Sequence, residues 1–196
     1  MKTDDISRRD FIKRSVALTA AAAIPSFWIP QRINGMPLIS ANDKVNIAFI
    51  GCGNRGAEIA QELYKTGLCN VVALCDVDMG AAHTQKIISM FPNVPQFRDF
   101  RVMLDKMGSK IDAVTAGVPD HSHFPVCIEA MSAGKAVYCE KPMGRTFQEI
   151  ELMMEAEKKY KVVTQMGNQG HSEANYFQFK AWKDAGIIKD VTAITA

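Results

Sequence analysis

Several features that would place a sequence in a common functional class are missing here. The 196 residues carry a formal net charge of only +2. Residues 1–43 hold six basic and four acidic side chains, so the rest of the chain has seventeen of each sign and no clustered basic stripe. Nucleic-acid phosphates require a basic face. We therefore expect no nucleic-acid partner, and a small, nearly neutral ligand is favoured.

Cysteine is scarce, and its spacing is not that of a metal site. The five cysteines form no C-x-x-C pair and no zinc-like pattern, so we predict no bound metal. Three of them lie in or beside apolar runs, which favours small buried side chains. A disulfide stays open, because the compartment predicted below would permit one. The five are Cys52, Cys69, Cys75, Cys127 and Cys139.

The beginning of the chain has an apolar run that is too short to cross a membrane. This run, residues 16–24, falls short of the roughly 20 apolar residues that a bilayer requires. It follows Arg8 and Arg9 in SRRDFIK, which resembles the twin-arginine export signal, and residues 21–23 are small enough for a cleavage site. A basic amphipathic helix of a cytosolic protein is the alternative. We predict that residues 1–40 are a twin-arginine signal and leader, with export to the periplasm and no stable membrane anchor.

From residue 44 onward, short apolar runs alternate with amphipathic stretches. The runs are continuous rather than alternating, as expected for parallel strands covered on both faces. This rhythm predicts an α/β fold with a Rossmann-type doubly wound parallel sheet over residues 44–170. The predicted strands are residues 45–50, 71–75, 111–116, 136–139 and 162–165.

Four helices are predicted between these strands from their start and stop signals. They cover residues 57–64, a segment capped by Asp99, residues 124–133 with a proline in the first turn, and a segment capped by Thr146. Thr146 and Glu149 form a capping box. The side chains predicted to face inward from that last helix are Phe147, Ile150, Met153, Met154 and Ala156.

The first strand runs directly into a G-x-G-x-x-G segment, Gly51-Cys52-Gly53-Asn54-Arg55-Gly56. Glycines at these positions permit a tight turn and close approach of the backbone to a pyrophosphate at a helix N-terminus. The second strand ends at Asp76, twenty residues beyond Gly56, where a carboxylate can accept hydrogen bonds from ribose hydroxyls and repel a 2′-phosphate. NAD is therefore favoured over NADP. The alternative is that the glycines only make a turn and that Asp76 or Asp78 caps the next helix.

Polar groups also follow the other three predicted strands, in the segments PDHSH (119–123), EKP (140–142) and GNQGH (167–171). His121 and His123 alternate like metal ligands, but no third ligand completes a site. Ser122 could instead cap the next helix, and either histidine could be only a hydrogen-bonded polar group. For EKP the alternative is a surface ion pair followed by a turn proline. Pro142 could also fix the backbone through a cis bond.

The order of these motifs resembles the Gfo/Idh/MocA family of NAD(P)-dependent oxidoreductases, and among them the exported bacterial members. By this resemblance Lys141 is the catalytic residue, between the nicotinamide and the reacting hydroxyl. Exported relatives often read PDHWH, so Ser122 marks a departure beside the nicotinamide. The resemblance also implies cofactor contacts at Asp120, His123, Glu140, Lys141 and Asn168, with Asn54 and Arg55 beside the diphosphate. The predicted cofactor site is completed by Gly51, Gly53, Gly56, Asp76 and Pro119, and the predicted substrate contacts are His121 and His171.

The expected function is hydride transfer from a sugar or polyol hydroxyl to NAD. An ammonium group at Lys141 can hydrogen-bond that hydroxyl or stabilise the alkoxide. Two alternatives stay open: an NAD-dependent glycosidase that oxidises its sugar transiently, and a dinucleotide-binding fragment without turnover. Residues 171–196 are predicted to be a helix and the first strand of a truncated substrate domain. An unpaired strand there would favour association, so a homo-oligomer stays open.

Overall fold

A computed structural model describes residues 44–194 with their side chains and, before them, the backbone of two short strands. The chain divides into two units, Met1–Ala41 and Asn42–Ala196. In the first unit β1 (Arg32–Ile33) pairs with β2 (Met36–Pro37) in antiparallel fashion. The rest of the predicted signal and leader lies outside the described residues. Within the described part, no helix is long and apolar enough to cross a membrane.

The second unit is built on a parallel sheet of six strands in the order β5-β4-β3-β6-β7-β8. The strand order reverses beside β3, as in a doubly wound fold, so the predicted fold class is confirmed. The pairing register aligns Ile50 with both Cys75 and Ala116, which brings the carboxyl ends of these strands to one edge. The strands are β3 (Val45–Ile50), β4 (Cys69–Cys75), β5 (Gln96–Phe97), β6 (Ala113–Ala116), β7 (Ala136–Glu140) and β8 (Thr164–Gly167).

Between residues 44 and 194, six α-helices connect or follow the strands of the six-stranded sheet. Three short 3₁₀ segments accompany them, Gly108–Lys110, Asp120–Ser122 and Gln169–His171. The helices are α1 (Asn54–Lys65), α2 (Gln85–Met90), α3 (Phe100–Met107), α4 (His123–Ser132), α5 (Phe147–Tyr160) and α6 (Ala174–Asp184).

Both predicted cap residues accept a backbone hydrogen bond, but the Glu149 carboxylate accepts the Arg145 N–H rather than the Thr146 N–H of a full capping box. Asp99 accepts a hydrogen bond from the Arg101 backbone N–H at 2.9 Å at the start of α3. Thr146 Oγ1 accepts one from the Glu149 backbone N–H at 3.1 Å at the start of α5. Each bond satisfies a backbone donor that the first helical turn leaves free.

The hydrophobic core lies on both faces of the sheet, because successive residues of a strand point to opposite sides. On one face Phe49 packs in a cluster with Leu74 and with Ile87 of α2. On the other face Ile50 belongs to a cluster with Met131 of α4. All five cysteines are buried and free, so the prediction of small buried side chains is confirmed and no disulfide forms.

Several element boundaries differ from the predictions. The last strand of the sheet covers Thr164–Gly167 rather than residues 162–165, and the third predicted strand begins at Ala113 rather than at residue 111. Strand β5 and helix α2 were not predicted, because both are too short to show a periodic pattern. Residues 191–194 form no strand, since no other strand of the described chain pairs with them.

Two side chains of α5 that were predicted to face inward are exposed. Phe147 is 92% exposed and Met154 is 53% exposed, whereas Met153 and Ala156 are buried. The helix covers the sheet with a single narrow stripe, and its first residue extends beyond that stripe. The prediction was wrong because several apolar residues on a helix do not by themselves define which of them touch the sheet.

Candidate functional site

A groove of about 570 Å³ opens at the carboxyl ends of β3, β4 and β6. This is the edge of a doubly wound sheet at which ligands bind, on either side of the point where the strand order reverses. The predicted site residues that line the groove are Gly51, Gly53, Asn54, Arg55, Asp76, Pro119 and His121.

The floor of the groove is made by backbone in contact with backbone. Gly51 has a φ of +86°, which side chains rarely tolerate. A Cβ atom on Gly56 would lie 2.1 Å from the Gly51 carbonyl oxygen. A Cβ on Gly117 would lie 2.6 Å from the Gly56 Cα. Three glycines therefore have to meet here, and the third, Gly117, was missed because it belongs to no glycine motif.

The Asp76 carboxylate is held in place by two backbone donors. Its Oδ2 accepts a hydrogen bond from the Cys52 N–H at 2.8 Å, and its Oδ1 accepts one from the Asp78 N–H at 3.0 Å. The next helix, α2, begins after Thr84, so neither Asp76 nor Asp78 caps it, and that part of the alternative is wrong. Asp76 instead ties the end of β4 to the glycine loop.

The thiol within the glycine loop is chemically quiet. Cys52 is fully buried beneath the groove. Burial, and then the negative charge of Asp76, raises the pKa of its thiol to about 12. The thiol therefore stays protonated at neutral pH, and the side chain acts as a small hydrophobic group.

Three side chains that were not predicted from the sequence also line the groove: His83, Arg98 and Phe100. His83 lies against the glycine loop, since a Cβ on Gly53 would come within 2.1 Å of His83 Cδ2. Arg98 directly follows β5. The rule that ligands bind beyond strand ends would have identified Arg98 if this two-residue strand had been recognised.

At the carboxyl end of β7, the buried Glu140 forms an ion pair with the partly exposed Arg55. The Glu140 side chain is only 5% exposed, and Arg55 Nε donates to its Oε1 at 3.1 Å. Arg55 Nη1 also contacts Glu58 at 2.9 Å. The second oxygen of Glu140, Oε2, is buried without a hydrogen-bond partner among residues 44–194. The EKP segment is therefore not a surface pair between Glu140 and Lys141.

The end of β8 leaves room for this carboxylate. A Cβ on Gly167 would lie 2.6 Å from Glu140 Oε1 and 2.8 Å from the Tyr138 hydroxyl oxygen. Burial, and then the charge of Glu140, raises the pKa of Tyr138, so its hydroxyl keeps its proton. Gly167, the first residue of GNQGH, has no side chain and therefore leaves the space that the Glu140 carboxylate occupies.

His123 holds the loop after β7 from the other side. It is 1% exposed, and its Nδ1 is hydrogen-bonded to the carbonyl oxygen of Pro142. A carbonyl oxygen only accepts, so Nδ1 carries the proton and Nε2 is a bare acceptor. In the described part of the chain Nε2 is buried and has no partner. The Lys141–Pro142 bond between these two supports is cis, and the Lys141 side chain is exposed.

The remaining predicted residues lie outside the groove lining. Gly56 is buried under the glycine loop, while Asp120 is exposed at the start of a 3₁₀ segment. Asn168 is half-buried after β8. His171 is exposed, and its ring lies 4.9 Å from that of Tyr176. Their functional roles stay predictions. Nowhere between residues 44 and 194 do three His, Cys, Asp or Glu side chains converge as metal ligands would.

The groove suits a dinucleotide in its shape and in its chemistry. Glycines without side chains form its floor, so a diphosphate could approach the backbone N–H groups at the start of α1. Outside the groove lining, at the end of β7, two buried acceptors, Glu140 Oε2 and His123 Nε2, lack within the described chain the donors that buried polar atoms normally have. Hydroxyl or amide groups of a bound cofactor could supply them.

Comparison with known proteins supports this interpretation. Residues 45–168 match the Gfo/Idh/MocA family, described as an oxidoreductase family with an NAD-binding Rossmann fold. A glycosyl hydrolase family 109 protein of Stenotrophomonas maltophilia is 33% identical over 153 residues, which cover 74% of this chain and 31% of that protein. Inositol 2-dehydrogenase of Salmonella typhimurium is 28% identical, over 71% of this chain and 41% of the enzyme.

A solved structure shares the fold over the same region. The crystal structure of myo-inositol 2-dehydrogenase from Lactobacillus plantarum superposes with a TM-score of 0.66 at 26% identity. The match covers 76% of this chain and 43% of that one. This chain therefore spans between about a third and two fifths of the length of the relatives that it matches.

Proposed function

We propose that this chain, which belongs to the Gfo/Idh/MocA oxidoreductase family, is the cofactor-binding part of an NAD-dependent oxidoreductase acting on a sugar or polyol hydroxyl. The observation that carries the proposal is the arrangement at the end of β7. There an exposed lysine, Lys141, stands between two buried side chains, Glu140 and His123, that each present an unpartnered acceptor. The dehydrogenase names of two relatives support the substrate class.

Preference for NAD follows from Asp76. Its carboxylate is fixed at the end of β4 and would face the ribose of the adenosine half of the cofactor. A negative charge there accepts hydrogen bonds from ribose hydroxyls and repels the 2′-phosphate of NADP. Asn54 and Arg55 would lie beside the diphosphate at the start of α1.

The chemistry at the other end depends on Lys141. Bound NAD⁺ supplies the hydride acceptor. The Lys141 ammonium would donate a hydrogen bond to the substrate oxygen and stabilise the negative charge that develops on it. Glu140 and His123 fix the backbone on both sides of the lysine, so its direction is set before the substrate arrives. By the family resemblance, His121 and His171 would contact the substrate and Pro119, Asp120 and Asn168 the cofactor.

Lys141→Ala tests this assignment. We expect the variant to bind NAD⁺ as the unchanged protein does and to lose turnover with sugars and polyols. Turnover is measured as NADH formation, in the protein as it is made by its source cells. Lys158→Ala, an exposed lysine on α5, is the matched control. Turnover that survives in Lys141→Ala would remove the lysine from the mechanism.

A second candidate function is an NAD-dependent glycosidase. The observation that favours it is the 33% identity to a glycosyl hydrolase family 109 protein. Such an enzyme would return the hydride to its sugar, so it would cleave a glycoside without net NADH formation. Net NADH with a free sugar would identify the oxidoreductase. NAD⁺ binding without either activity would leave a binding module.

Three further proposals concern the whole protein. The first is that residues 1–40 direct export through the twin-arginine machinery to the periplasm. Replacing Arg8 and Arg9 together by Lys should leave the protein in the cytoplasm.

The second proposal is that residues 171–196 begin a carbohydrate-binding domain, which is supported by the exposed apolar side chains Phe177 and Phe179 of α6. Association into a homo-oligomer is testable by sedimentation.

A further inference from the structure

We infer that Arg55 is a positioning residue for Glu140, through which it acts on the nicotinamide half of the cofactor, rather than a direct contact of the diphosphate. The inference rests on the NAD binding proposed above. It gives the two residues a shared role that their separate places in the sequence, 85 positions apart, do not suggest.

The geometry of Arg55 shows where its hydrogen-bonding capacity is directed. Its Nε donates to Glu140 Oε1 at 3.1 Å, and its Nη1 contacts Glu58 at 2.9 Å. The guanidinium fork is thus turned toward two carboxylates. A direct contact with a diphosphate at the helix N-terminus is the alternative role, because Arg55 also lines the groove.

The burial of Glu140 explains why it needs a cation. A carboxylate with a side chain only 5% exposed is costly to ionise unless a positive charge and hydrogen bonds compensate. Arg55 satisfies one oxygen. The other, Oε2, is buried and has no partner in the described chain, and a buried acceptor normally has a donor.

The topology indicates which part of a dinucleotide carries that donor. Asp76 ends β4 and Glu140 ends β7, on opposite sides of β3, where the strand order reverses. A dinucleotide lies across this point with its adenosine half on the Asp76 side. The second nucleoside then lies on the Glu140 side, where one of its hydroxyls would donate to Oε2.

Two ligands separate the possibilities, because ADP carries the diphosphate but lacks the second nucleoside. In Arg55→Gln we expect the affinity for NAD⁺ to fall about tenfold, the size of a lost hydrogen bond to a charged group. The affinity for ADP should change less than about twofold. Glu140→Gln should show the same selective loss, and the double variant should be no weaker than either single variant. Isothermal titration calorimetry gives all of these affinities.

The control is Glu58→Gln, which removes the exposed partner of Arg55 and should leave both affinities unchanged. Equal losses of ADP and NAD⁺ in Arg55→Gln would make Arg55 a diphosphate contact and overturn the inference. If Arg55→Gln does not fold, Glu140→Gln decides: an unchanged ratio of ADP to NAD⁺ affinity overturns it as well. Failure of the unchanged chain to bind NAD⁺ would instead contradict the proposed function.

Discussion

Two parts of the candidate site are built in different ways. On the Asp76 side, the end of β4 and the glycine loop, both carboxylate oxygens already accept backbone N–H groups, and glycines pack against glycines. The Glu140 side, the ends of β7 and β8, lies outside the groove lining, and two buried acceptors there have no partner in the described chain. Glycine substitutions on the Asp76 side should therefore mainly affect folding, and substitutions on the Glu140 side should mainly affect binding.

The largest effect is expected from Gly56→Ala on the Asp76 side. The new Cβ would lie 2.1 Å from the Gly51 carbonyl oxygen, and backbone cannot move away as a side chain can. We expect a loss of about 3 kcal/mol in the free energy of unfolding, measured by urea denaturation. Gly108→Ala is the control, because no heavy atom of the described chain lies within 4 Å of its added Cβ. Equal stability of the two variants would show that the close backbone contact at Gly56 does not limit stability.

Gly167→Ala tests the Glu140 side with the same chemical change. Its Cβ would lie 2.6 Å from Glu140 Oε1, but this neighbour is a side chain that can shift. We expect an affinity for NAD⁺ that is about tenfold lower, about 1.4 kcal/mol, with a smaller change in unfolding free energy. Gly170→Ala, whose added Cβ would lie 3.7 Å from Asn168 Oδ1, an ordinary van der Waals distance, should match the unchanged chain. If Gly167→Ala loses stability but keeps its affinity for NAD⁺, the Glu140 side affects folding as the Asp76 side does, and the proposed difference is wrong.

Asp76→Asn should weaken the Asp76 side more gently. An amide has one oxygen, so either the Cys52 N–H or the Asp78 N–H loses its acceptor. We expect a cost of about 1 kcal/mol in stability. Loss of the negative charge should also narrow the preference for NAD⁺ over NADP⁺ by about fivefold, measured from the two dissociation constants. Asp78→Asn is the control, and an equal narrowing there would show that only net charge matters.

The distance along the chain between interacting residues explains which features could be predicted from the sequence alone. The caps at Asp99 and Thr146 depend on neighbours close along the chain, and the glycine loop and Asp76 belong to a motif with a fixed spacing, so these were predicted. The pair of Arg55 with Glu140 joins residues 85 positions apart, so it depends on how strands are ordered in the sheet. Arg98 was missed for a related reason, because the strand before it has only two residues and is recognisable only by its pairing with β4.

The smallest effects on the free energy of unfolding should come from the two helix caps, Asp99 and Thr146. The pKa of Asp99 is lowered, chiefly because its carboxylate accepts a hydrogen bond from the Arg101 backbone N–H. A pKa lowered by folding means that this stabilisation is present at neutral pH and is lost as the pH falls below the ordinary value of 3.8. Asp99→Asn should therefore lose stability at pH 7 and differ less from the unchanged chain at pH 3, because the stabilisation disappears as the pH falls through the lowered pKa of Asp99.

Thr146 provides the uncharged comparison on the Glu140 side. Its hydroxyl accepts from the Glu149 N–H at 3.1 Å and does not titrate. Thr146→Ala should cost about 0.5 to 1 kcal/mol in unfolding free energy at both pH values, measured by urea denaturation. A pH-dependent cost in Thr146→Ala would mean that this helix cap draws its strength from the Glu149 carboxylate rather than from the threonine hydroxyl.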